Sequence, residues 1–510
     1  MSAPRTMREN LRDLPRAVRG SIVRHGATDS DRTRSQIVAN NFFLHAQSAR
    51  VHKHSLRPST TWGLGLIALI LFAILCVTGT LLMVYYKPSV DQAYDSVRDL
   101  GFIVPTGRMM RNVHRWAAHG MVLVVLAHMA RVFYTGSYGG RRAFNWVVGM
   151  VLLVLTLGLS FTGYLLPWDQ LAYWAITIGA NIALSPREVT DALGLTATFD
   201  LGGLQKSLLL GSSTVGQEAL IRFYVLHIVL LPVVLVAFLG VHFWRIRKDG
   251  GLNRPADAGA RLGPDVRNGR AIFPEGSGKT YGLMALVRGR TGAVDRGPEH
   301  TVSAWPHLFQ AEMLVLVLTT LAMLALGYLF DAPLKELANP SVPENPAKAP
   351  WYFLGLQELV SYSAFAGGIA IPAIAVLGLM LIPYLDREEE TSGRWFAGPS
   401  GRRIAALSAV FAAAFVVAML WFTVSVGWIR SWFPASPQWV ITLCNPGTVY
   451  VVAFALWSAA FARRTRSTRM GAMALFTCFL VAFAILTYFA TFLRGPNWDF
   501  YWSSSDWPAH

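Results

Sequence analysis

Two apolar stretches of the sequence each carry a pair of histidines about four helical turns apart. They are His114 and His128 in 112–135, and His227 and His242 in 221–246. Spacings of 14 and 15 residues return each pair close to one helix face, with the rings roughly 21–23 Å apart along the axis. A membrane-spanning helix is long enough for that separation. Two such helices side by side predict two stacked haems, one near each membrane surface and each held by two histidines.

A lone histidine in a membrane helix is often a packed, hydrogen-bonded residue. Ionisable groups are costly in a bilayer, however, and four at matched spacing favour ligation over packing. Iron held by two imidazoles has no open position, which indicates electron transfer and not oxygen binding. His119 lies five residues after His114, about 140° around the helix, and is not expected to ligate the same haem.

Two glycine pairs repeat the 14-residue spacing in neighbouring apolar runs, Gly65 and Gly79 in one and Gly149 and Gly163 in the other. Glycine has no Cβ, so a flat macrocycle can approach the backbone closely. With the histidines, these glycines predict a four-helix cage around two haems. Arg111 and Arg131 flank the first histidine pair by three residues on either side and are predicted to pair with haem propionates. The alternative for both arginines is snorkelling at the membrane surfaces.

The composition is that of a membrane protein, with 53% hydrophobic and 15% charged residues in 510. The predicted fold is an all-α integral membrane protein: a four-helix diheme bundle followed by a C-terminal helical part, with about nine transmembrane helices. The apolar runs that predict them are 62–86, 113–134, 145–166, 222–245, 308–330, 367–385, 404–426, 447–463 and 470–492.

The net charge of +16 comes from basic residues gathered in alternate loops. This positive-inside pattern argues against a nucleic-acid surface and predicts a multi-pass protein of a bacterial-type inner (cell) membrane, in contact with lipid. We expect a cytosolic N-terminus and an external C-terminus. The expected regions are a basic tail with an amphipathic entry (1–57), the diheme bundle (58–250), a cytosolic connecting loop (251–303) and a C-terminal membrane part with a quinol-site loop (304–510).

These features resemble cytochrome b, the haem- and quinone-binding subunit of quinol–cytochrome c reductase complexes. The motifs that carry the resemblance are WGLG…TG (62–79), the stretch from Arg111 to Arg131, GYLLPWDQ (163–170), RFYVLH (222–227) and HFWRIRKDG (242–250). Residues 58–250 match closely, and 304–385 match more loosely. The 15-residue histidine spacing is similar to that of the photosynthetic, plastoquinol-oxidising branch, whereas the fused single chain is similar to the respiratory form.

The resemblance implies two non-covalent b-type haems, the lower-potential one on His114 and His227 near the outer face and the higher-potential one on His128 and His242. It also implies quinol as substrate, quinone reduced on the cytosolic side, and proton translocation. The outer quinol pocket would form from 163–177 and the loop before the sixth span.

The outer pocket departs from the family pattern at its catalytic residues. The family's Pro-Glu-Trp-Tyr motif, whose glutamate accepts a quinol proton, reads Ala-Pro-Trp-Tyr here, with Pro350 in place of the glutamate before Trp351 and Tyr352. Glu358, six residues on, is the predicted substitute acceptor. The alternative is that Glu358 is a structural hydrogen-bonding residue. The aromatic tail 494–502 predicts an interfacial belt, or alternatively a docking site for a partner cytochrome.

Three widely spaced cysteines, without Cys-x-x-Cys-His, predict no covalent c-type haem. Gly63 stands where the photosynthetic branch carries its haem-attaching cysteine. A Rieske-type iron–sulfur protein and a c-type cytochrome are therefore expected partners, and the resemblance implies a homodimer. Two other classes stay open. One is a diheme quinol-oxidising anchor of a non-Rieske complex, and the other is a transporter with incidental histidines.

Overall fold

Long apolar runs determine the architecture, because a backbone surrounded by lipid must satisfy its hydrogen bonds within its own helix. The computed structural model describes residues 7–22, 31–41, 44, 47–258, 300–388 and 391–508. It divides into two compact units. One comprises residues 1–60, 246–252 and 257–315, and the other comprises 61–245, 253–256 and 316–510.

Nine of the ten main helices lie close to the predicted runs, and the exception is the short helix that starts at Trp351. In chain order the ten are α1 (Leu64–Tyr85), α2 (Gly107–Tyr134), α3 (Ala143–Leu165), α4 (Gln217–Lys248), α5 (Phe309–Leu329), α6 (Trp351–Tyr362), α7 (Ile371–Leu385), α8 (Pro399–Ser425), α9 (Pro446–Thr465) and α10 (Thr468–Phe492). Shorter helices are Pro58–Thr61, Ala93–Phe102, Gln170–Leu184, Arg187–Ala192, Leu201–Leu210, Ile429–Trp432 and Gln438–Leu443. The all-α membrane fold predicted from the sequence is confirmed.

Within the described residues, eight helices are long and apolar enough to cross a membrane, not nine. They are α1 to α5, α7, α8 and α10. The predicted run 447–463 does form a helix, α9, but it is not among the eight, since it contains polar and small residues and ends in Arg463 and Arg464. A two-residue turn joins α9 to α10, and the Ser458 hydroxyl donates to the Gly471 carbonyl at 2.8 Å, so the two helices pack antiparallel.

The N-terminal four helices form two packed pairs. α1 packs along α2, and α3 contacts both α2 and the first half of α4. α4 is interrupted by a π-helical stretch, Leu226–Leu230, which contains His227. Such stretches widen the helix by one residue per turn and often occur at functional sites.

The C-terminal helices pack around α10. In its most apolar stretch of 18 residues, 44% of the residues are buried. α6, α8 and α9 all pack against it. Aromatic rings fill the contact between α8 and α9, where Phe411 and Trp457 stack with centroids 4.1 Å apart. A stacked aromatic pair adds about 0.5–1.5 kcal/mol beyond the burial of area.

The first unit contains the helices Met7–Ile22 and Asp31–Asn40 and a two-stranded antiparallel sheet. Its strands are β1 (Arg50–His52) and β2 (Thr301–Ser303), with Val51 opposite Val302. Val38, Leu44 and Ala304 form its small core. Of the expected connecting loop 251–303, residues 259–299 lie outside the described part of the chain.

A buried ion pair in the second unit fastens the start of α10. Arg469 Nε donates to Asp386 Oδ2 at 2.8 Å, and the Tyr138 hydroxyl donates to the same oxygen at 2.6 Å. The arginine and aspartate side chains are 3% and 0% exposed. Burying a charge is costly, and each of these two charges is compensated only while its partner is present.

We therefore expect Asp386→Ala to lower the free energy of unfolding by about 3–5 kcal/mol, because it leaves the Arg469 charge buried and unpaired. Asp95→Ala is the matched control. Asp95 pairs with Arg98 at 3.0 Å, but both side chains are about half exposed, so its loss should cost less than about 1 kcal/mol. Thermal unfolding of the purified variants measures both values, and equal values would show that the buried pair does not stabilise α10.

Candidate functional site

His114, on α2, lies opposite His227, in the π-helical stretch of α4, with the two rings edge to face. Their ring centroids are 6.3 Å apart and their planes meet at 74°. Two metal–nitrogen bonds of about 2 Å, added to the two ring radii, put the centroids of a bis-imidazole metal site roughly 6 Å apart. The observed separation therefore fits one iron between the two rings.

Hydrogen bonds fix the tautomer of both rings. The Thr78 hydroxyl donates to the Ile74 carbonyl at 2.7 Å, so at 2.9 Å it accepts from His114 Nδ1. His227 Nδ1 donates to the Leu159 carbonyl at 3.1 Å. With Nδ1 protonated, the Nε2 lone pair of each neutral imidazole is free to bind a metal.

The second pair, His128 on α2 and His242 on α4, lies about four helical turns further along the same two helices. The two side chains are near enough to interact electrostatically. No three His, Cys, Asp or Glu side chains among the described residues converge on a metal-sized site. A haem iron takes four ligands from its macrocycle, so two histidines suffice.

Each of the four predicted glycines lies against one of the four histidines. A Cβ built on the glycine would lie 3.2 Å from His128 Cε1 at Gly65 and 3.2 Å from His114 Cε1 at Gly79. At Gly163 it would lie 2.5 Å from His227 Cε1, and at Gly149 it would lie 3.8 Å from His242 Cε1. A methyl group would clash at Gly163, would be tight at Gly65 and Gly79, and would fit at Gly149.

The two arginines predicted as propionate partners occupy different settings. Arg111 donates to the backbone carbonyls of Ala332 and Pro333 at 2.7 and 2.6 Å, which ties α2 to the segment after α5. Arg131 is 7% exposed and lies in the last turn of α2. Their pairing with haem propionates stays a prediction.

The two sequence stretches predicted to form the outer pocket are brought together by the motif Trp168–Gln170. Asp169 caps the helix Gln170–Leu184 through the Ala172 amide and accepts from the Lys335 amide, both at 2.9 Å. The Gln170 side chain donates to the Val342 carbonyl at 3.0 Å and accepts from the Asn339 amide at 2.9 Å. These bonds fix the segment that leads into α6.

At the start of α6, Pro350 precedes the first helical turn, and Trp351 and Tyr352 turn toward α2 and α3. The Trp351 indole donates to His119 Nδ1 at 3.0 Å. The Tyr352 ring lies 5.7 Å from the His119 ring, and its hydroxyl bonds with Ser160 on α3. Trp351 and Tyr352 thus lie at the junction of three helices and contact His119, which is five residues after His114 on α2.

Glu358 is fully buried, and both its carboxylate oxygens are engaged. It accepts from Arg494 at 2.7 and 3.0 Å, from the Tyr362 hydroxyl at 2.7 Å and from the Trp498 indole at 2.9 Å. Burial, with the adjacent carboxylate, raises the pKa of Tyr362 well above its usual value, so this hydroxyl stays a donor. These contacts favour the structural alternative for Glu358, while proton acceptance stays a prediction. Part of the aromatic tail 494–502 is thus folded against the protein.

The sequence does not predict three contacts of the functional residues. They are the contact of Thr78 with His114, that of Arg494 with Glu358, and that of Trp351 with His119. Thr78 had a usable signal, because a Thr-Gly dipeptide recurs as Thr162-Gly163 on α3, and both threonines approach a histidine Nδ1. Arg494 had none, since its partner is 136 residues away.

Fold and site together define a class, namely helical membrane proteins with paired histidines inside a four-helix bundle. The comparisons give the family. The family model described as cytochrome b/b6/petB matches residues 52–250. Cytochrome b6 of Heliobacterium mobile is 46% identical over 187 residues, which are 37% of this chain and 82% of that protein. Cytochrome b6 of Prochlorothrix hollandica is 41% identical over 187 residues, covering 37% of this chain and 79% of that protein.

The chain belongs to the cytochrome b/b6 family, as its motifs predicted. A solved structure titled "Hyperthermophilic respiratory Complex III" covers 84% of this chain and 91% of its own, with a TM-score of 0.51 and 20% sequence identity. That likeness concerns the fold. It extends beyond the 187 residues matched by the cytochrome b6 relatives into the C-terminal helices.

The glycine contacts predict graded effects on haem binding. We expect Gly163→Ala to lower the haem content most, because the added methyl pushes His227 away at a cost of about 1–3 kcal/mol. Gly149→Ala should retain haem. Gly158→Ala, on the same helix as Gly163, is the control, because its methyl would meet only Leu231 at 3.7 Å. The haem absorbance per protein ranks the three variants by haem content. Equal haem retention by all three would contradict the prediction.

The two roles of Glu358 predict different results for Glu358→Gln. If the carboxylate pairs with Arg494 for structure, the variant loses about 3–5 kcal/mol of stability, because a buried cation is left without its counter-charge. If it accepts a quinol proton, quinol oxidation is lost at unchanged stability. Glu344→Gln is the control. Glu344 pairs with a half-exposed Lys335 at 3.1 Å, so its loss should cost under about 1 kcal/mol. Thermal unfolding and quinol-driven haem reduction decide between the roles, and we expect the loss of stability.

Proposed function

We propose that this chain is the haem- and quinone-binding subunit of a quinol–cytochrome c oxidoreductase, with two b-type haems on His114/His227 and His128/His242. The observation that carries the proposal is the His114–His227 pair, with a 6.3 Å ring separation and both Nδ1 atoms occupied. When bound, such haems carry one electron at a time across the membrane.

The chain's own residues have separate tasks in this function. Thr78 and the Leu159 carbonyl engage Nδ1 of His114 and His227, which would leave Nε2 of each ring to hold the iron. The glycines let the ligand helices approach their neighbours closely. The motif Trp168–Gln170 holds the segment before α6 beside α3. Quinol would be oxidised at this segment, and its protons would be released outside. Quinone reduction on the cytosolic side would take up protons, which gives net translocation.

The likeness of the fold to a Complex III chain supports partnership with a Rieske-type iron–sulfur protein and a c-type cytochrome. A homodimer in the bacterial-type inner membrane, with the N-terminus cytosolic and the C-terminus external, belongs to the same proposal. Pro350, which has no group that can accept a proton, favours a second candidate, a diheme quinol-oxidising anchor of a non-Rieske complex. Co-purification of an iron–sulfur subunit distinguishes the two.

A redox titration of the visible spectrum tests the proposal. We expect two b-type transitions in the wild type. His128→Ala and His242→Ala should each remove only the higher-potential transition, because both histidines hold the same haem. His307→Ala, outside the α1–α4 bundle, is the control and should keep both transitions. If the two ligand variants affected different transitions, the proposed pairing would be wrong.

A further inference from the structure

His119 is the one histidine of α2 that the proposed haem sites leave unused. It lies five residues, or about 7–8 Å of helix axis, from His114, on another side of the helix. Its ring is surrounded by aromatic side chains: Trp116 with a centroid distance of 5.7 Å, Tyr352 at 5.7 Å, and Trp351 through a hydrogen bond.

Trp351 determines which His119 nitrogen carries the proton. An indole N–H can only donate, so His119 Nδ1, 3.0 Å away, must be the acceptor. In a neutral imidazole the proton then lies on Nε2, which becomes a hydrogen-bond donor. Nε2 has no partner among the described residues and is not among the buried unpaired atoms, so it faces accessible space.

The surroundings of Nε2 suit a flat, mostly apolar headgroup with a polar oxygen at its edge. The aromatic rings offer stacking surfaces, and Nε2–H offers one directed donor. The charged and titratable side chains acting on His119 are Arg115, one turn earlier on α2, and Tyr352 on α6. Neither is a carboxylate, so neither of these groups is a charged acceptor for the Nε2–H.

We propose that His119 binds the quinone headgroup at the outer site, with Nε2–H donating to a quinol or quinone oxygen and Trp351 holding the ring in that tautomer. This inference rests on the proposed function. His119 thereby supplies a polar side chain beside Trp351, one residue after Pro350, whose own side chain is apolar. A quinone carbonyl can only accept a hydrogen bond, so this donor suits the oxidised headgroup as well as the quinol.

The test is quinol-driven reduction of the b haems in the purified complex, with a short-chain ubiquinol and a short-chain menaquinol as probes. His119→Leu removes the donor and should raise the quinol KM roughly tenfold, the effect of one lost hydrogen bond, with little change in kcat. His119→Gln keeps an amide donor for the quinone and a carbonyl acceptor for Trp351. It should recover most of the affinity.

A matched tryptophan pair tests the positioning role of Trp351. Trp351→Phe removes the indole that fixes the tautomer and should raise KM several-fold at constant kcat. Trp457→Phe is the control, because the Trp457 indole, on α9, donates to the Ser408 hydroxyl at 3.0 Å and not to His119. Its KM should match the wild type.

The outcomes separate this inference from the proposed function. If wild-type haems are reduced by quinol and His119→Leu has an unchanged KM, the inference is wrong and the proposed function stands. If quinol does not reduce wild-type haems, the proposed function fails and this inference with it. Should His119→Leu lose haem through misfolding, equal KM values for the two tryptophan variants overturn the inference.

Discussion

The close approach of each histidine-bearing helix to a glycine-bearing neighbour is the contact on which the rest of the structure depends. Gly163 comes so near His227 that a single methyl group would collide with the ring. That proximity brings the Leu159 carbonyl and the Thr162 hydroxyl within reach of His227 Nδ1. On the other helix pair, Gly79 and Thr78 do the same for His114. Backbone spacing thus sets the tautomer, and the tautomer sets which nitrogen can bind iron.

Polar contacts fix the positions of the elements around this bundle, because apolar packing alone would let them slide past one another. Asp169 and Gln170 bond the segment before α6 through backbone amides and carbonyls. Glu358 and Arg494 connect α6 to the tail after α10. A buried charge without its partner is far more costly than a lost apolar contact, so such pairs fix register firmly. The segment predicted to line the outer pocket is therefore held by polar contacts, although Pro350 stands where the family resemblance places a glutamate.

The sequence predicts periodic features well and long-range polar partners poorly. Apolar runs locate the eight spans to within a few residues, because the length of a membrane helix is fixed by the bilayer. The histidine and glycine spacings predict which faces meet. The run 447–463 shows the limit, since α9 is a helix packed against α10 but too polar to count with the other eight. The sequence predicts that Arg494 and Trp498 belong to an interfacial belt, because nothing local reveals that they bond with a buried carboxylate 136 and 140 residues earlier.

The central claim is that four histidines on two helices hold two haems. Its most direct test is the haem stoichiometry of the purified 56.1 kDa chain, from total iron and a pyridine haemochrome spectrum after acid–acetone extraction. We expect two extractable b-type haems per chain. One haem, or none, would contradict the central claim, as would haem that stays bound to the protein after extraction.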